Sequence, residues 1–472
     1  MSSPRLPRVD GRAPRVVSLV YNDASTDSRV LKTTATLRAA GADARIVASA
    51  RDLAGHPAGI GHVGELEVHR VPDLDLTRMM PRLTRTWRRL RGKALTAQAQ
   101  ASVPAHTPEP PVPAAPVATA AVTQAPAPAD SGQQPSVRDQ AKAFAADAWM
   151  RLYQTARLSY WWLGAVREGR DLRPDVVHAN DANALVPALL ITAGTPGRVV
   201  YDSHELWRRR NIRQDRWLAP AVEAVIETVG IRVAAGVITV SPSIADWLQQ
   251  TYSLRIRPTL VRNIPTARPL PDPARGRLRE LAGLAPGDRV VSYVGGITTG
   301  RGLEETVDAM ALLPDNAHLV LLGYGDPRYI AGLLQRARDT GVSDRVHLAG
   351  SVPSPEVPQA LADADVAVVY VRPICLSYRF SLPNKLFESI HAGLPIVAAD
   401  LPDTSAIVRE HSVGEVFEAT TPAELAAAIQ QVLGDPTAYR AAAAQAAGEL
   451  TWEHEAAELI ALYTRVLEGG DG

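Results

Sequence analysis

Residues 383–400 read PNKLFESIHAGLPIVAAD, and this stretch decides how the whole chain is interpreted. A short polar turn opens a run whose apolar positions Leu386, Phe387, Ile390 and Leu394 recur with helical spacing. The run closes on an Ala-Gly pair, and an apolar, strand-like piece follows. The stretch therefore predicts a helix that leads into a buried strand, the repeating unit of an α/β protein.

The first turn of this helix carries groups suited to a nucleotide sugar. Lys385 and Glu388 lie three residues apart and therefore project from the same end of the helix. A helix N-terminus collects backbone N–H groups and partial positive charge, which favour a phosphate. Lys385 adds a full charge, and Glu388 can accept hydrogen bonds from vicinal sugar hydroxyls. Taken alone, Glu388 is also explained as an acid that complements the helix dipole.

Composition narrows the class of protein. The 472 residues include 50 acidic and 50 basic side chains, so net charge gives no reason to expect a nucleic-acid partner. The single cysteine, Cys375, excludes an intramolecular disulfide and favours a reducing compartment. The sequence shows no secretory signal pattern and no apolar run of about 18–20 residues. We expect a cytoplasmic protein that is soluble or peripherally bound to a membrane.

Strand-like and helix-like segments alternate along most of the chain. This alternation predicts two α/β halves of similar size, each with a parallel sheet covered on both faces, and a cleft between them. Residues 263–273 contain four prolines and no apolar period, and we interpret them as a linker. The expected organisation is an N-terminal domain at 1–265, a C-terminal domain at 266–450 and a terminal helix at 451–472.

One segment inside the N-terminal half interrupts this alternation. Residues 98–140 hold nine prolines among many alanines, with few large apolar side chains. Such a composition cannot bury enough surface to offset the entropy lost on ordering, so we predict a disordered insertion.

A basic segment precedes the insertion. Residues 77–93 contain seven basic residues and no acid, with Met79, Leu83, Trp87 and Leu90 at helical spacing. A basic amphipathic helix with tryptophan predicts contact with an anionic membrane.

A second aromatic segment at 150–164, with Trp161 and Trp162, continues this pattern after the insertion. The alternative is that both segments pack on the domain surface and leave their arginines in solvent.

A glycine-rich loop, GGITTGRG at 295–302, follows an apolar strand in the C-terminal half. Gly295, Gly296 and Gly302 would let the backbone approach a phosphate, and Arg301 could neutralise a departing diphosphate. The spacing nearly matches an ATP-binding P-loop but lacks its Lys and Ser/Thr, which disfavours an ATPase. A tight turn with an exposed arginine explains the loop equally well.

Two further loops end neighbouring strands, where parallel sheets bind ligands. They contribute Gly323 and Gly325 in the first loop, and Ser351 and Val352 in the second. The first lacks the third glycine of a dinucleotide fingerprint, so it is a weak signal for NAD. Three such loops in one half favour a nucleotide site more than any one alone.

The segment YDSHE at 201–205 ends a strand of the N-terminal half and would face the cleft from the other side. His204 is a candidate to contact a transferred sugar or to stabilise charge. A helix-capping Asp or Ser with a solvated His-Glu pair is the alternative.

Together these segments resemble glycosyltransferase family 4, over nearly the whole chain outside the insertion and its flanks. The resemblance implies the GT-B fold, in which two Rossmann-like parallel-sheet domains face a central cleft and the C-terminal helix crosses back to the N-terminal domain. The matching segments are Asn22 with DSRVLK at 27–32, YDSHEL at 201–206, VITVSPSIADWL at 237–248, VRNIP at 261–265, YVGGITTGRGLEE at 293–305, LPNKLFESIHAGLPIVA at 382–398 and TWEHEAAELIALY at 451–463.

The resemblance also implies roles for individual residues. Glu388 matches the glutamate that holds the nucleotide ribose, Arg301 the basic residue at the diphosphate, and His204 the histidine near the donor sugar. Lys385 is our candidate for an additional charge at the diphosphate. Further donor contacts are implied for the start of the donor-binding helix at Pro383, Asn384 and Leu386.

Two positions depart from the family pattern. Phe380 stands where many members have a second glutamate, eight residues before the ribose-binding one, and Gly296 stands where many have arginine. The contacts to the donor sugar and part of the phosphate clamp are therefore open.

The activity implied is that of a retaining glycosyltransferase that requires no metal or other cofactor. The donor is a nucleotide diphosphate sugar, with a UDP-sugar as first choice because Phe380 and the PNK turn resemble a branch with surface-polysaccharide transferases. The acceptor is a glycan or a lipid-linked molecule bound by the N-terminal half. Two alternatives remain, a nucleotide-sugar 2-epimerase of the same fold and a non-catalytic membrane-associated scaffold.

Overall fold

The computed structural model describes residues 5–51, 55–74, 137–211, 219–418 and 421–469. Within these ranges the chain forms two α/β units, each built on a largely parallel sheet. The central strands bury nearly every side chain, as expected where helices cover both faces of a parallel sheet.

The first sheet lies in the N-terminal half. Its strand order is β3-β4-β2-β1-β5-β6-β7-β8, and neighbouring strands are parallel except for the antiparallel pair β3 and β4. The carboxyl ends of β5 and β6 therefore lie at one edge of the sheet. The strands are β1 (Arg15–Leu19), β2 (Asp43–Ser49), β3 (Gly59–Val63), β4 (Leu66–Val71), β5 (Val176–Asn180), β6 (Arg198–Ser203), β7 (Gly236–Thr239) and β8 (Thr259–Leu260).

Helices cover this sheet, and two begin with side-chain caps. Asp27 accepts a hydrogen bond from the Val30 N–H at the start of α1, and Ser241 accepts one from the Ile244 N–H at the start of α5. The α-helices described in this half are α1 (Ser28–Ala39), α2 (Val137–Asp171), α3 (Leu185–Thr192), α4 (Ala219–Val233) and α5 (Pro242–Tyr252).

The second sheet is parallel throughout and has the order β11-β10-β9-β12-β13-β14. Its strands are β9 (Arg289–Val294), β10 (Ala317–Leu322), β11 (Val346–Leu348), β12 (Val366–Val369), β13 (Ile396–Ala399) and β14 (Gly414–Phe417). The accompanying helices are α6 (Leu278–Ala282), α7 (Leu303–Met310), α8 (Pro327–Asp339), α9 (Val357–Leu361), α10 (Leu376–Arg379), α11 (Asn384–His391), α12 (Pro402–Glu410), α13 (Pro422–Gly434) and α14 (Thr437–Glu449).

The stretch at 383–400 forms α11 and then β13, as its pattern predicts. Leu386, Phe387, Ile390 and Leu394 are all buried in one core cluster of the second unit. The helical spacing of these four residues therefore reflects a real buried face.

The last helix, α15 (Trp452–Glu468), packs on the first unit. Its Tyr463 hydroxyl lies 2.8 Å from His178 Nδ1, and Trp452 Nε1 donates to Thr36 Oγ1 at 2.9 Å. Glu455 accepts two hydrogen bonds from the Arg262 guanidinium, which follows β8. The predicted fold class, including the terminal helix that crosses back, is confirmed.

The two units touch at a small set of polar contacts beside the strand ends. Ser241 Oγ donates to the carbonyl oxygen of Phe380 at 2.8 Å, and Ser243 Oγ donates to Asp403 Oδ1 at 3.0 Å. Both serines belong to the start of α5, and Asp403 belongs to the first turn of α12. These contacts join the carboxyl edges of the two sheets.

The predicted insertion differs from the structure at one end. Residues 98–136 and the basic segment 77–93 lie outside the described residues. Residues 137–140, however, already belong to α2, so the prediction of disorder is wrong there. The last proline of the insertion is Pro135, and the alanine-rich sequence that follows has high helix propensity.

Candidate functional site

A buried carboxylate organises the N-terminal side of the site. Asp202 near the end of β6 is 1% exposed and receives two hydrogen bonds from Arg29, Nε to Oδ2 at 2.9 Å and Nη2 to Oδ1 at 2.7 Å. His178 Nε2 lies 3.2 Å from Oδ2. Burial alone raises the pKa of Asp202, but the charges of Arg29 and His204 hold it well below its ordinary value. The carboxylate is therefore ionised and fixed.

His204 stands between two carboxylates. Its Nε2 lies 3.3 Å from Asp202 Oδ2, and its Nδ1 lies 3.5 Å from Asp181 Oδ2. Burial lowers the pKa of His204, but the two aspartates outweigh this effect and raise it to about 9. The imidazole is therefore protonated at neutral pH, and in this form it has no free lone pair with which to accept a proton.

Asp181 holds His204 from the end of β5. Its Oδ1 accepts from the His204 backbone N–H at 3.2 Å, and its own backbone has φ 61°, a left-handed conformation that is strained for a side chain other than glycine. Such strain is found at functional sites, where surrounding structure enforces it. Sequence reasoning missed the roles of Arg29, Asp181 and Asp202, although all three lie in strand-end or helix-start motifs.

The glycine loops of the second unit pack directly against one another. A Cβ on Gly323 would lie 1.9 Å from the Gly295 carbonyl oxygen, and one on Gly325 would lie 2.0 Å from that of Ile297. Gly323 and Gly325 are therefore explained by loop packing, without a ligand. This packing brings the loop after β9 and the loop after β10 together.

The remaining glycines of the first loop differ in their surroundings. Gly302 has φ 65°, and a Cβ there would clash with the Tyr370 ring at 2.1 Å. Gly296 faces open space, with nothing within 4 Å of the position of a Cβ. The structure thus leaves room for a ligand at Gly296 and gives Gly302 a packing role.

Lys385 projects from α11 toward the loop after β9. A Cβ built on Gly295 would lie 3.9 Å from Lys385 Cε, and Lys385 Nζ lies 3.6 Å from the centroid of the Tyr293 ring. The amino group is buried and has no hydrogen-bond partner among the described residues. Burial, and then the charge of Arg301, lower the pKa of Lys385 well below its ordinary value, while Glu388 opposes the shift.

Arg301 shares this region. Its guanidinium carbon lies 4.9 Å from the centroid of the Tyr378 ring, and the part of the chain that the structure describes gives it no carboxylate partner within salt-bridge distance. Lys385 and Arg301 thus place two basic groups near each other without a salt-bridge partner among the described residues, and an anionic ligand would stabilise this arrangement.

Glu388 lies one turn after Lys385 on α11. Burial raises its pKa to about 7, although Lys385 and Lys32 act in the opposite direction. Lys32 belongs to α1 of the first unit, and its Nζ donates to the Ile264 carbonyl oxygen at 2.6 Å. Burial and the charge of Arg29 lower the pKa of Lys32 to about 8, and Glu388 raises it. Lys32 on α1 and Glu388 on α11 therefore interact electrostatically across the cleft.

The other predicted donor contacts are placed differently. Leu386 is fully buried in the core, and its N–H donates to the Pro383 carbonyl oxygen, so its side chain packs inside the second unit. Asn384 and Ser351 are exposed, while Pro383 and Val352 are half-buried.

Phe380 packs against a core cluster of the first unit and presents its carbonyl oxygen to Ser241. The position at which the family pattern expects a glutamate is therefore used here for contact between the two units.

Neither a metal cluster nor a membrane-spanning helix is found among the described residues. Within these ranges, no group of three or more His, Cys, Asp or Glu side chains is arranged to hold a metal ion. None of the described helices combines the length and apolar character needed to cross a membrane.

Comparison with known proteins places this geometry in a class. A family model described as glycosyltransferase family 4 matches residues 127–267, and one described as glycosyl transferases group 1 matches residues 288–435. Sucrose-phosphate synthase from Thermosynechococcus elongatus has a similar structure, with a TM-score of 0.67 at 18% identity over 97% of this chain and 100% of that one. The architecture is thus the GT-B fold.

Two curated relatives are similar to part of the sequence. D-inositol 3-phosphate glycosyltransferase of Jonesia denitrificans is 30% identical over 42% of this chain and 48% of its own length. Phosphatidyl-myo-inositol mannosyltransferase of Mycobacterium leprae is 27% identical over 40% of this chain and 50% of its own length. The chain spans about half the length of these relatives. It belongs to the glycosyltransferases of the family 4 type.

Proposed function

We propose that this protein transfers a sugar from a nucleotide diphosphate donor to an acceptor, with retention of configuration and without a metal ion. The observation that carries the proposal is the buried, unpartnered amino group of Lys385 next to Arg301 and Gly295. A diphosphate placed there would neutralise both cations, and Glu388 would accept hydrogen bonds from the ribose one helical turn away.

In the proposed reaction, the bond between the anomeric carbon and the diphosphate oxygen breaks. The acceptor hydroxyl forms the new bond on the same face, and its proton passes to the departing phosphate oxygen. Arg301 and Lys385 stabilise the negative charge that develops on the diphosphate. His204, protonated between Asp181 and Asp202, places a positive charge beside the donor sugar.

The finer assignments are part of the same proposal. The first-choice donor is a UDP-sugar, which rests on the PNK turn and Phe380. For the acceptor, the names of the two relatives suggest an inositol phosphate, free or lipid-linked. We propose a cytoplasmic location with peripheral attachment to an anionic membrane, for which the seven basic residues of 77–93 provide support.

A thermal-shift screen with UDP-, GDP- and dTDP-sugars tests the donor, because a ligand that binds the folded state raises the unfolding temperature. Product analysis with inositol 3-phosphate or phosphatidylinositol then tests transfer. Stabilisation and transfer with GDP- or dTDP-sugars but not with UDP-sugars would make the UDP assignment wrong.

The same assays separate the alternatives. An altered sugar configuration without transfer to an acceptor would indicate the 2-epimerase. The absence of donor binding, hydrolysis and transfer, with no difference between wild type and His204→Ala, would favour the non-catalytic scaffold. Added EDTA tests the metal requirement, and we expect undiminished transfer.

A further inference from the structure

Exposed apolar side chains are concentrated on one face of the first unit. Of the 17 large apolar side chains that are exposed among the described residues, nine lie on α2, α3 and α4. They are Trp149, Leu152, Tyr160, Leu163, Leu190, Val222, Val225, Val229 and Val233. We call these nine residues the three-helix face.

The exposed residues form stripes along two of these helices. Trp149, Leu152, Tyr160 and Leu163 follow one another on α2 at intervals of three, eight and three residues, which places them on the same side of the helix. Leu163 is 72% exposed.

The stripe on α4 has the same character. Val222, Val225, Val229 and Val233 lie at intervals of three, four and four residues, so they also share one side. An amphipathic helix normally turns such a stripe toward a core, and here both stripes face outward.

α3 lies between these two helices and contacts both. It exposes Leu190, and a groove of about 530 Å³ separates it from α2. Trp162, Leu163 and Val166 line the groove together with Leu190, and the charged residues Arg167, Arg170 and Asp171 stand at its border. The groove therefore connects the exposed residues of α2 and α3, and the stripe of α4 lies on the helix that packs beside α3.

The structure also shows where the two adjacent tryptophans of α2 lie. Trp161 is fully buried in the core of the first unit, and Trp162 donates its Nε1–H to the Asn183 carbonyl oxygen. The two adjacent tryptophans therefore pack on the protein, and the large apolar side chains of this helix that remain exposed are Trp149, Leu152, Tyr160 and Leu163.

We propose that the three-helix face docks on an anionic membrane. Tryptophan and tyrosine among aliphatic side chains, with arginines at the margin, match the interface between lipid headgroups and acyl chains. The described range 55–74 ends at Leu74, whose carbonyl oxygen accepts a hydrogen bond from Tyr153 on α2 at 3.0 Å. Three residues later begins the segment 77–93, with seven cations and no acid. The local charge thus complements anionic lipid.

The three-helix face also lies where a membrane would bring a lipid-linked acceptor to the cleft. This part of the inference rests on the proposed function. Leu74 follows the carboxyl end of β4, at the same edge of the sheet as His204 after β6. Tyr153 and the exposed residues around it are therefore near the cleft edge. A bilayer on this face would present lipid-linked acceptors beside the cleft.

Vesicle flotation of the full chain tests the proposal. We expect binding to vesicles of equimolar phosphatidylcholine and phosphatidylglycerol, and weaker binding to phosphatidylcholine alone. In the double variants Leu152→Ser/Leu163→Ser and Val225→Ser/Val229→Ser, the partition coefficient should fall about tenfold or more. Ile60→Ser/Leu312→Ser is the matched control, because Ile60 and Leu312 are similarly exposed elsewhere, and it should bind like wild type.

Several outcomes would overturn the assignment. The first is wild-type protein that does not float with the mixed vesicles, and the second is binding of both face variants at the wild-type level. The third is a wild type that self-associates and face variants that do not, with no change in vesicle binding. Loss of binding in Arg88→Gln/Arg89→Gln, with full binding in both face variants, would move the contact to 77–93. Donor-induced thermal shifts are measured in parallel, so that a failed donor assignment remains distinguishable from a failed membrane surface.

Discussion

Lys385 Nζ lies 3.6 Å from the centroid of the Tyr293 ring and makes no hydrogen bond among the described residues. A buried amine usually pairs with a carboxylate, and an unpaired one lowers stability. Among the described residues, the negative face of the aromatic ring and the charge of Glu388 offset part of this cost. The diphosphate proposed above would supply a counter-charge for this amine.

Replacing the amine should separate stability from binding. We expect Lys385→Met to unfold at the same or a higher temperature, because it removes an unpaired buried polar group. Its affinity for UDP should fall about 10- to 100-fold, the range for a lost charge-assisted hydrogen bond. Isothermal titration calorimetry and thermal unfolding measure both effects. Arg328→Met removes an exposed cation of the same unit and is the control; equal affinities in all three proteins would contradict the role of Lys385.

The buried Arg29–Asp202 pair should be far more important for stability than an exposed pair of similar length. Asp202→Asn leaves Arg29 without its counter-charge in the interior, and we expect a loss of about 3–5 kcal/mol in the free energy of unfolding. Asp246 and Arg257 form an exposed pair at 2.6 Å, and Asp246→Asn should cost less than about 1 kcal/mol. Urea unfolding compares the two, and similar losses would contradict the prediction.

Local patterns in the sequence predicted the strands and several helices of the second unit. The spacing of Leu386, Phe387 and Ile390 follows the helical period because that face is buried, and a period is visible in a single sequence. The placement of Lys385 and Arg301 near the loop after β9 follows from strand ends in a parallel sheet.

The first unit was less predictable because its site depends on residues far apart in sequence. Arg29 and Asp202 are 173 residues apart and are joined only by the topology of the sheet. The burial of Trp161 could not be predicted from the neighbouring sequence. Both sides of α2 carry aromatic residues, and packing alone decides which side is buried. Phe380 likewise acquires its role from the facing unit.

The protonation of His204 predicts a dependence of stability on pH. Its pKa in the folded protein is about 9, above the ordinary value of 6.5, so its contribution to stability is fully present below about pH 6.5 and is lost as the pH rises through 9. We expect wild-type protein to lose more stability than His204→Gln between pH 7 and 9, measured by urea unfolding at each pH.

Asp181 provides an independent check on this pKa. Asp181→Asn removes one of the two carboxylates beside His204 and should lower the pKa of the imidazole, which NMR titration of the ring protons reports. A wild-type pKa near 6.5, or no change on Asp181→Asn, would contradict the electrostatic account.

Phe380 offers a direct test of whether its position contacts the donor or the facing unit. If it contacts the donor, Phe380→Glu restores the family pattern and should strengthen binding of UDP-sugars. Because Phe380 packs against the first unit, we expect the opposite result. A carboxylate placed in that apolar contact should cost about 1–3 kcal/mol of stability, without a gain in affinity.

The neighbouring exposed residue provides the control. Arg379→Glu introduces the same carboxylate one position earlier, where the side chain is in solvent, and it should leave the unfolding temperature nearly unchanged. Thermal unfolding and calorimetric titration with UDP-glucose compare the two variants. Tighter binding by Phe380→Glu with wild-type stability would show that position 380 contacts the donor. Lower stability in Phe380→Glu alone means that the sequence departure at this position serves the contact between the two units, because the same charge is tolerated one residue away.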